Sequence, residues 1–122
     1  ERLKEKGVLL GVLSNKFDAA VRDLVESYFP GLFVIAHGES PDYPRKPNPA
    51  GLLKILAQLG IDPADAAYVG DSGGDMKTAC AAGSFAIGVS WGYQSIETLE
   101  DNGAREIIGK PHGILDIAGI QA

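Results

Sequence analysis

Short apolar runs alternate along this chain with segments in which apolar residues recur every three or four positions. Four runs have the length and composition of strands buried on both faces, as the strands of parallel sheets are. They cover residues 7–13, 32–36, 66–70 and 85–89. The segments between them have helical spacing, and the second of these places Leu52, Leu53, Leu56 and Leu59 on one face. The pattern predicts strands that alternate with helices.

Capping and helix-breaking residues predict where these helices begin and end. Asn48 and Pro49 supply a cap and a first-turn proline to the helix that Gly60 ends, and Gly83 ends the next helix. Smaller elements are predicted toward the end of the chain: a short helix at 95–102, an edge strand at 105–108 and a helical turn at 114–118.

Alternation of strands with helices indicates βαβ units and a mainly parallel sheet. Because the crossovers of such units are right-handed, helices should cover both faces of the sheet. The predicted fold class is α/β, a Rossmann-like three-layer sandwich, and the length of 122 residues suits one domain over residues 1–122. Residues 1–6 resemble the end of a helix without a capping residue. We therefore expect this domain to be the C-terminal portion of a longer protein.

Composition and charge argue against some classes of binding partner. With 45% apolar residues the chain can form a core, and its formal net charge of −5 disfavours nonspecific binding to nucleic acid or to an anionic membrane. Its apolar runs are far shorter than the roughly 20 residues of a membrane-spanning helix. The single cysteine, Cys80, excludes an internal disulfide, and we expect it to be buried on a small-residue helix face. These features predict a cytoplasmic protein and leave its oligomeric state open.

Two carboxylates follow the third apolar run. Asp71 comes at the predicted strand end and Asp75 in the first turn of the next helix, and open α/β sheets bind ligands beyond the carboxyl ends of their strands. Neighbouring carboxylates repel each other unless a cation offsets their charge, and hard oxygen donors suit Mg²⁺. The alternative is structural: Asp71 or Ser72 caps the helix, and Asp75 favours its dipole.

Two other segments bring candidate phosphate ligands to the same edge. Ser14 and Asn15 follow the first apolar run, and their hydroxyl, amide and backbone N–H groups can donate to phosphate oxygens. Capping of the next helix is the alternative role for both. Lys46 lies in the proline-rich loop 41–49, where a fixed ammonium would neutralise charge on a phosphate. An ordinary solvated lysine is the alternative there.

Taken in order, these motifs resemble those of the haloacid dehalogenase superfamily, whose members are aspartate-nucleophile phosphotransferases. Residues 13–16 (LSNK) are similar to its second motif, 45–49 (RKPNP) to its third and 69–75 (VGDSGGD) to its fourth. Residues 14–16 and 91–93 (WGY) are most similar to phosphoglycolate-phosphatase-like members. The resemblance covers nearly the whole chain.

The resemblance implies a role for each candidate residue. Ser14 and Lys46 would act in catalysis and, together with Asn15, would bind the phosphoryl group of a small phosphorylated metabolite. Asp71 would bind Mg²⁺ directly. Asp75 would support the metal and the lysine without contacting the metal itself.

Two features bear on which reaction of the superfamily applies. The metal-binding acid motif argues against the true dehalogenases, which use no metal. Gly70 precedes Asp71 where the related sugar phosphomutases tend to have Glu, which argues against a mutase.

The first motif of the superfamily, Asp-x-Asp, does not occur in this sequence. In the family its first Asp is the nucleophile that forms an aspartyl-phosphate, and its second is the general acid/base. In the family this motif lies on a central strand, between the strands that correspond here to 7–13 and 66–70. A helical cap domain usually follows that strand. We therefore expect a fold that lacks the first strand and the cap, and a chain that is inactive alone. A non-catalytic module that binds phosphate or a partner, and a phosphomutase, are the alternatives.

Overall fold

The computed structural model of the protein describes residues 2–39, 48–92 and 94–117. Within these ranges the strands are β1 (Gly11–Phe17), β2 (Ile35–Glu39), β3 (Ala67–Gly70), β4 (Phe85–Val89) and β5 (Glu106–Ile108). The helices are α1 (Arg2–Glu5), α2 (Asp18–Tyr28), α3 (Ala50–Leu59), α4 (Gly73–Ala82), α5 (Ile96–Asp101) and α6 (Gly113–Ile117). A 3₁₀ turn at Pro63–Asp65 precedes β3.

Every strand pair in the described ranges is parallel, and helices lie on both faces of the sheet. β1 pairs with β2, and β4 lies between β3 and β5. Met76 of α4 and Leu99 of α5 pack with Ala86 on one face of β4. Ile87, on the other face, belongs to a cluster against which Ile114 of α6 packs. The predicted α/β fold with three layers is confirmed.

The first two strands begin and end later than the apolar pattern predicts. β1 ends at Phe17 rather than at residue 13, so Ser14 and Asn15 lie within this strand and not after it, and β2 ends at Glu39 rather than at residue 36. β1 begins at Gly11 rather than at residue 7, and β2 begins at Ile35 rather than at residue 32. Leu32 still belongs to a turn, because its N–H donates to the carbonyl oxygen of Phe29 at 3.2 Å. Backbone pairing, which the apolar run does not report, sets where these strands start. The other three strands lie within one residue of their predicted bounds.

The helix ends follow the sequence signals. The side chain of Asn48 accepts a hydrogen bond from the N–H of Ala50 at 2.9 Å, but the cap position of α3 is taken by Pro49, one residue later than predicted. Gly60 and Gly83 follow the last residues of α3 and α4. In the described ranges, each helix is too short or too polar to cross a bilayer.

The prediction that Cys80 is buried is wrong. The residue is exposed, and its thiol lies 3.5 Å from the carbonyl oxygen of Gly103. The buried stripe of α4 includes Met76, Ala79 and Ala82. Cys80 lies beside that stripe, at the edge where α4 meets the turn after α5.

The sheet is divided between β1 and β3. Ladders join β1 to β2 and β3 through β4 to β5, but no ladder joins β1 to β3 among the described strands. Ala67 and Val69, which share one face of β3, are both exposed, whereas residues 86–89 of the adjacent β4 are all buried. Each of β1 and β3 therefore has an edge whose backbone groups are open to pairing with another strand.

Tyr68 connects the two halves of the sheet. Its ring packs against two apolar clusters, one that contains Met76 and one that contains Leu56. Its hydroxyl donates to the carbonyl oxygen of Leu13 in β1 at 3.4 Å, and Leu13 also packs against the second cluster. Side-chain contacts, rather than a backbone ladder, hold β1 and β3 near each other.

Asp18 ties the start of α2 to β2. One carboxylate oxygen accepts the N–H of Gly38 at 3.0 Å, and the other lies 2.7 Å from Nε of Arg22, one helical turn further on. The hydrogen bond from Gly38 lowers the pKa of Asp18 below its ordinary value, burial partly opposes this, and the charge of Arg22 lowers the pKa further. The folded protein therefore favours the ionised carboxylate.

Asp18→Asn is expected to lower the free energy of unfolding at neutral pH but not in strong acid. Because the folded-state pKa lies below the unfolded-state pKa, the ionised carboxylate stabilises the fold at pH values above the unfolded-state pKa. This contribution is lost as the pH falls through the folded-state pKa. Urea unfolding over a pH series measures it, and Asp23→Asn, at an exposed position of the same helix, is the control. An equal loss of stability at every pH would contradict the assignment.

Candidate functional site

Three polar residues at the junction of β3 and α4 have separate roles. Ser72 caps α4, because its Oγ accepts the N–H of Asp75 at 3.1 Å. Asp75 is only 8% exposed, and its Oδ2 accepts the backbone N–H of Asp71 at 3.1 Å. The residue Asp71 is exposed, and within the described ranges its carboxylate has no hydrogen-bond or ion-pair partner.

This division of roles bears on both interpretations of the segment. The structural alternative is confirmed in one of its two forms, since Ser72 and not Asp71 caps α4. Asp75 lies in the first turn of α4, where a negative charge favours the helix dipole, and it also holds the end of β3. The Asp71 carboxylate, which has no partner among the described residues, lies at the carboxyl end of a parallel strand, where α/β sheets bind ligands.

Gly70 allows Asp75 to approach the strand end. A Cβ atom at position 70 would lie 2.3 Å from Cβ of Asp75 and 2.5 Å from its Oδ2, which is closer than side chains can approach. The bond from the N–H of Asp71 to Asp75 therefore depends on a residue without a side chain at position 70. This gives a steric reason for the Gly-Asp order in this motif.

The loop after β4 meets the β3–α4 turn. A Cβ atom at Gly92 would lie 2.5 Å from Cβ of Asp71, so the backbone of this loop lies directly against the Asp71 side chain. Gln94, two residues on, accepts the N–H of Gly73 through its Oε1 at 2.6 Å. Trp91 is 53% exposed and lies on the same loop.

Sequence reasoning singled out residues 91–93 but missed Gln94. Residue 93 lies outside the described ranges. The contact of Gln94 joins positions 21 residues apart, and no local spacing or capping pattern indicates such a contact. A polar residue in the loop that follows the carboxyl end of β4 is the only signal that the sequence offered.

Ser14 lies where the β1–β2 ladder becomes irregular. Leu13 pairs with His37 and Phe17 with Glu39, so three residues of β1 (14–16) stand against one residue of β2. Irregularities of this kind change the direction of side chains and are common beside active sites. Ser14 is half-buried and has an interaction partner of its own. The side chain of Asn15 lies outside what the structure describes.

Lys46 falls in residues 40–47, outside the described ranges. That Lys46 lies close to Ser14 and Asp71 therefore stays a prediction. The described neighbours of this segment are the end of β2 and Asn48, whose side chain accepts the N–H of Ala50 at the start of α3.

The described donors fit a cation that needs few protein ligands. No group of three or more His, Cys, Asp or Glu residues that could enclose a metal occurs within the described ranges. His37 instead contacts Gln58, with 3.1 Å between Nε2 and Oε1. Mg²⁺ commonly takes one or two carboxylates, several waters and substrate phosphate oxygens, and the free carboxylate of Asp71 matches that demand.

Comparison with known proteins identifies the family. The sequence pattern of the haloacid dehalogenase-like hydrolases matches residues 1–83. Phosphoglycolate phosphatase of Escherichia coli strain K12 is 33% identical over 99 residues, which is 80% of this chain and 39% of that protein. Phosphoglycolate phosphatase of Pectobacterium atrosepticum is 30% identical over 119 residues, 97% of this chain and 51% of that protein. The chain belongs to the haloacid dehalogenase-like hydrolases.

A solved structure agrees with this assignment. A protein of Lactobacillus delbrueckii subsp. bulgaricus, provisionally assigned as a phosphoglycolate phosphatase, superposes with a TM-score of 0.89 at 37% identity. The superposition covers 94% of this chain and 48% of that one. The predicted resemblance to phosphoglycolate-phosphatase-like members is confirmed. The chain spans between about two fifths and half of the length of these relatives.

Gly70→Ala is expected to destabilise the protein by about 1–3 kcal/mol, because the added methyl group forces Asp75 away from the N–H of Asp71. Chemical denaturation measures the change. Gly74→Ala is the matched control, since its Cβ would meet only Oγ of Ser72 at an ordinary 3.6 Å. Equal stability of the two variants would show that Asp75 has room to move.

Proposed function

We propose that the intact protein is a Mg²⁺-dependent phosphate monoester hydrolase of the phosphoglycolate-phosphatase type, acting in the cytoplasm on a small phosphorylated metabolite. The observation that carries this proposal is the exposed carboxylate of Asp71, left free because Ser72 caps α4 and Asp75 holds the backbone. The names of the two curated relatives make phosphoglycolate the first substrate to test.

Each residue would contribute a different interaction with substrate. Asp71 would hold Mg²⁺, which when bound offsets negative charge on the phosphate. Ser14 and the backbone near Asn15 would donate hydrogen bonds to phosphate oxygens, and Lys46 would stabilise the charge on the equatorial oxygens. Asp75 would act on the metal site through the backbone of Asp71 and through Lys46.

The divided sheet supports a nucleophile on a separate strand. β1 and β3 each have an open edge, Ser14 lies on β1 and Asp71 follows β3. A strand between them would complete the sheet and would bring its own carboxyl end close to both residues. We propose that this strand, in the intact protein, carries the nucleophilic Asp that the 122-residue sequence lacks.

The absent Asp-x-Asp motif also favours a second candidate. A non-catalytic module with this fold would retain Ser14, Lys46 and Asp71 as a phosphate or partner site without turning substrate over. The residues encoded before Glu1 discriminate between the two: an Asp-x-Asp motif supports the enzyme, and its absence from the natural protein supports the module. A phosphomutase would be recognised by an isomerised sugar phosphate in place of free phosphate.

Asp71→Asn and Lys46→Ala, made in the intact protein, are each expected to lower kcat/KM for phosphoglycolate by at least about a hundredfold. Asparagine removes the charge that attracts the metal, and alanine removes the ammonium that offsets phosphate charge. Released phosphate measures the rate, and thermal unfolding confirms that the variants fold.

The controls change the same residue types away from the site. Asp65→Asn changes a residue of the 3₁₀ turn before β3, and Lys77→Ala changes an exposed residue of α4. Both should keep the wild-type rate. Near-normal turnover in Asp71→Asn or Lys46→Ala would show that the assigned role is wrong.

The isolated 122-residue chain is expected to release no phosphate from phosphoglycolate, with or without Mg²⁺, because no residue in it replaces the nucleophile. Assay of chain purified to constant specific activity, with the intact protein as positive control, tests this. Mg²⁺-dependent turnover that co-purifies with the chain would refute the proposal that the nucleophile lies outside it.

A further inference from the structure

Two loops meet at the Asp71 side chain, one that carries it and one that lies against it. The β3–α4 turn carries Asp71, and the loop between β4 and α5 carries Gly92 and Gln94. The backbone at Gly92 leaves no space for a side chain beside Asp71, since an added Cβ would lie 2.9 Å from Oδ2 as well as 2.5 Å from Cβ. The loop therefore restricts the orientations that the Asp71 carboxylate can adopt.

Gln94 holds these two loops together. Its Oε1 accepts the N–H of Gly73, the first residue of α4, at 2.6 Å. Gly73 is buried, whereas the residue Gln94 is exposed, so the glutamine reaches inward from the surface to a donor with little access to water. The cap of α4 is already supplied by Ser72. The bond from Gln94 therefore adds a connection between loops rather than the cap itself.

We propose that Gly92 and Gln94, in the loop between β4 and α5, position Asp71 for its cation, with Gln94 as the residue that fixes the loop and Gly92 as the surface that orients the carboxylate. This rests on the proposed function, in which Asp71 binds the metal. A carboxylate that is already oriented loses little freedom when the cation binds. The loop is thereby a determinant of metal affinity, and Gln94 is a positioning residue that touches neither metal nor substrate.

The test measures Mn²⁺ binding to the intact protein by electron paramagnetic resonance, which counts the free ion without any turnover. Gln94→Met removes the acceptor at nearly constant size, and Gly92→Ala forces the Asp71 side chain to move. Both are expected to weaken Mn²⁺ binding by about tenfold or more, as loss of groups that orient metal ligands typically does. Gln94→Glu keeps an oxygen acceptor and should bind within about threefold of wild type.

A kinetic readout separates positioning from chemistry. In Gln94→Met the Mg²⁺ concentration for half-maximal activity should rise by about tenfold, while kcat at saturating Mg²⁺ should return close to wild type. Gly109→Ala is the control, because it follows β5 at the same type of strand end and its Cβ would meet only Oγ of Ser90 at 3.7 Å. It should leave both values unchanged.

Two variants distinguish failure of this inference from failure of the proposed function. If Asp71→Asn binds Mn²⁺ as wild type does, the metal site itself is wrong. If Asp71→Asn loses Mn²⁺ but Gln94→Met and Gly92→Ala retain wild-type affinity, the site stands and the positioning role is refuted. Weaker binding in Gln94→Met that Gln94→Glu does not restore would also overturn the role of the hydrogen bond.

Discussion

The hydrogen bond from the backbone N–H of Asp71 to the buried carboxylate of Asp75 organises this site. A buried charged group is costly unless it is hydrogen-bonded, so Asp75 keeps the end of β3 and the start of α4 in one arrangement. Gly70 makes room for it, and Ser72 takes over the cap. Together they leave the Asp71 carboxylate exposed and, among the described residues, without a hydrogen-bond or ion-pair partner. Asp75 is the buried acid of the pair and Asp71 the exposed one, so Asp71 is the acid that a ligand could reach.

The two halves of the divided sheet differ in how their strands are buried. The half that contains β3, β4 and β5 has its own buried cluster on each face, at Met76 and at Ile87. The half that contains β1 and β2 relies on α2 and α3, and its strands stay partly exposed. The candidate residues Ser14 and Asp71 belong to different halves. A complete site therefore requires the halves to be held in register, which an added central strand would do through backbone hydrogen bonds.

Much of the fold could be predicted from the sequence, because buried parallel strands and capped helices leave strong local patterns. The run at 85–89 and the end of α4 at Gly83 are examples. The start of β1 could not be predicted, since it depends on which of its residues pair with β2. Asp71 could be recognised from the sequence as a candidate. Whether Asp71 or Ser72 caps α4 depends on which of their side-chain oxygens faces the helix, and residue spacing does not report that. Gln94 was missed because its role is a contact across 21 positions.

Tyr68 has a consequence for how motion spreads through the molecule. Its ring is shared by the two clusters that contain Met76 and Leu56, and its hydroxyl reaches across to Leu13. Because one side chain contacts both clusters, a displacement of β1 relative to β3 would disturb the packing of both at once. The chain connection from Tyr68 to Asp71 is only three residues long, so such a displacement would also act close to the exposed carboxylate.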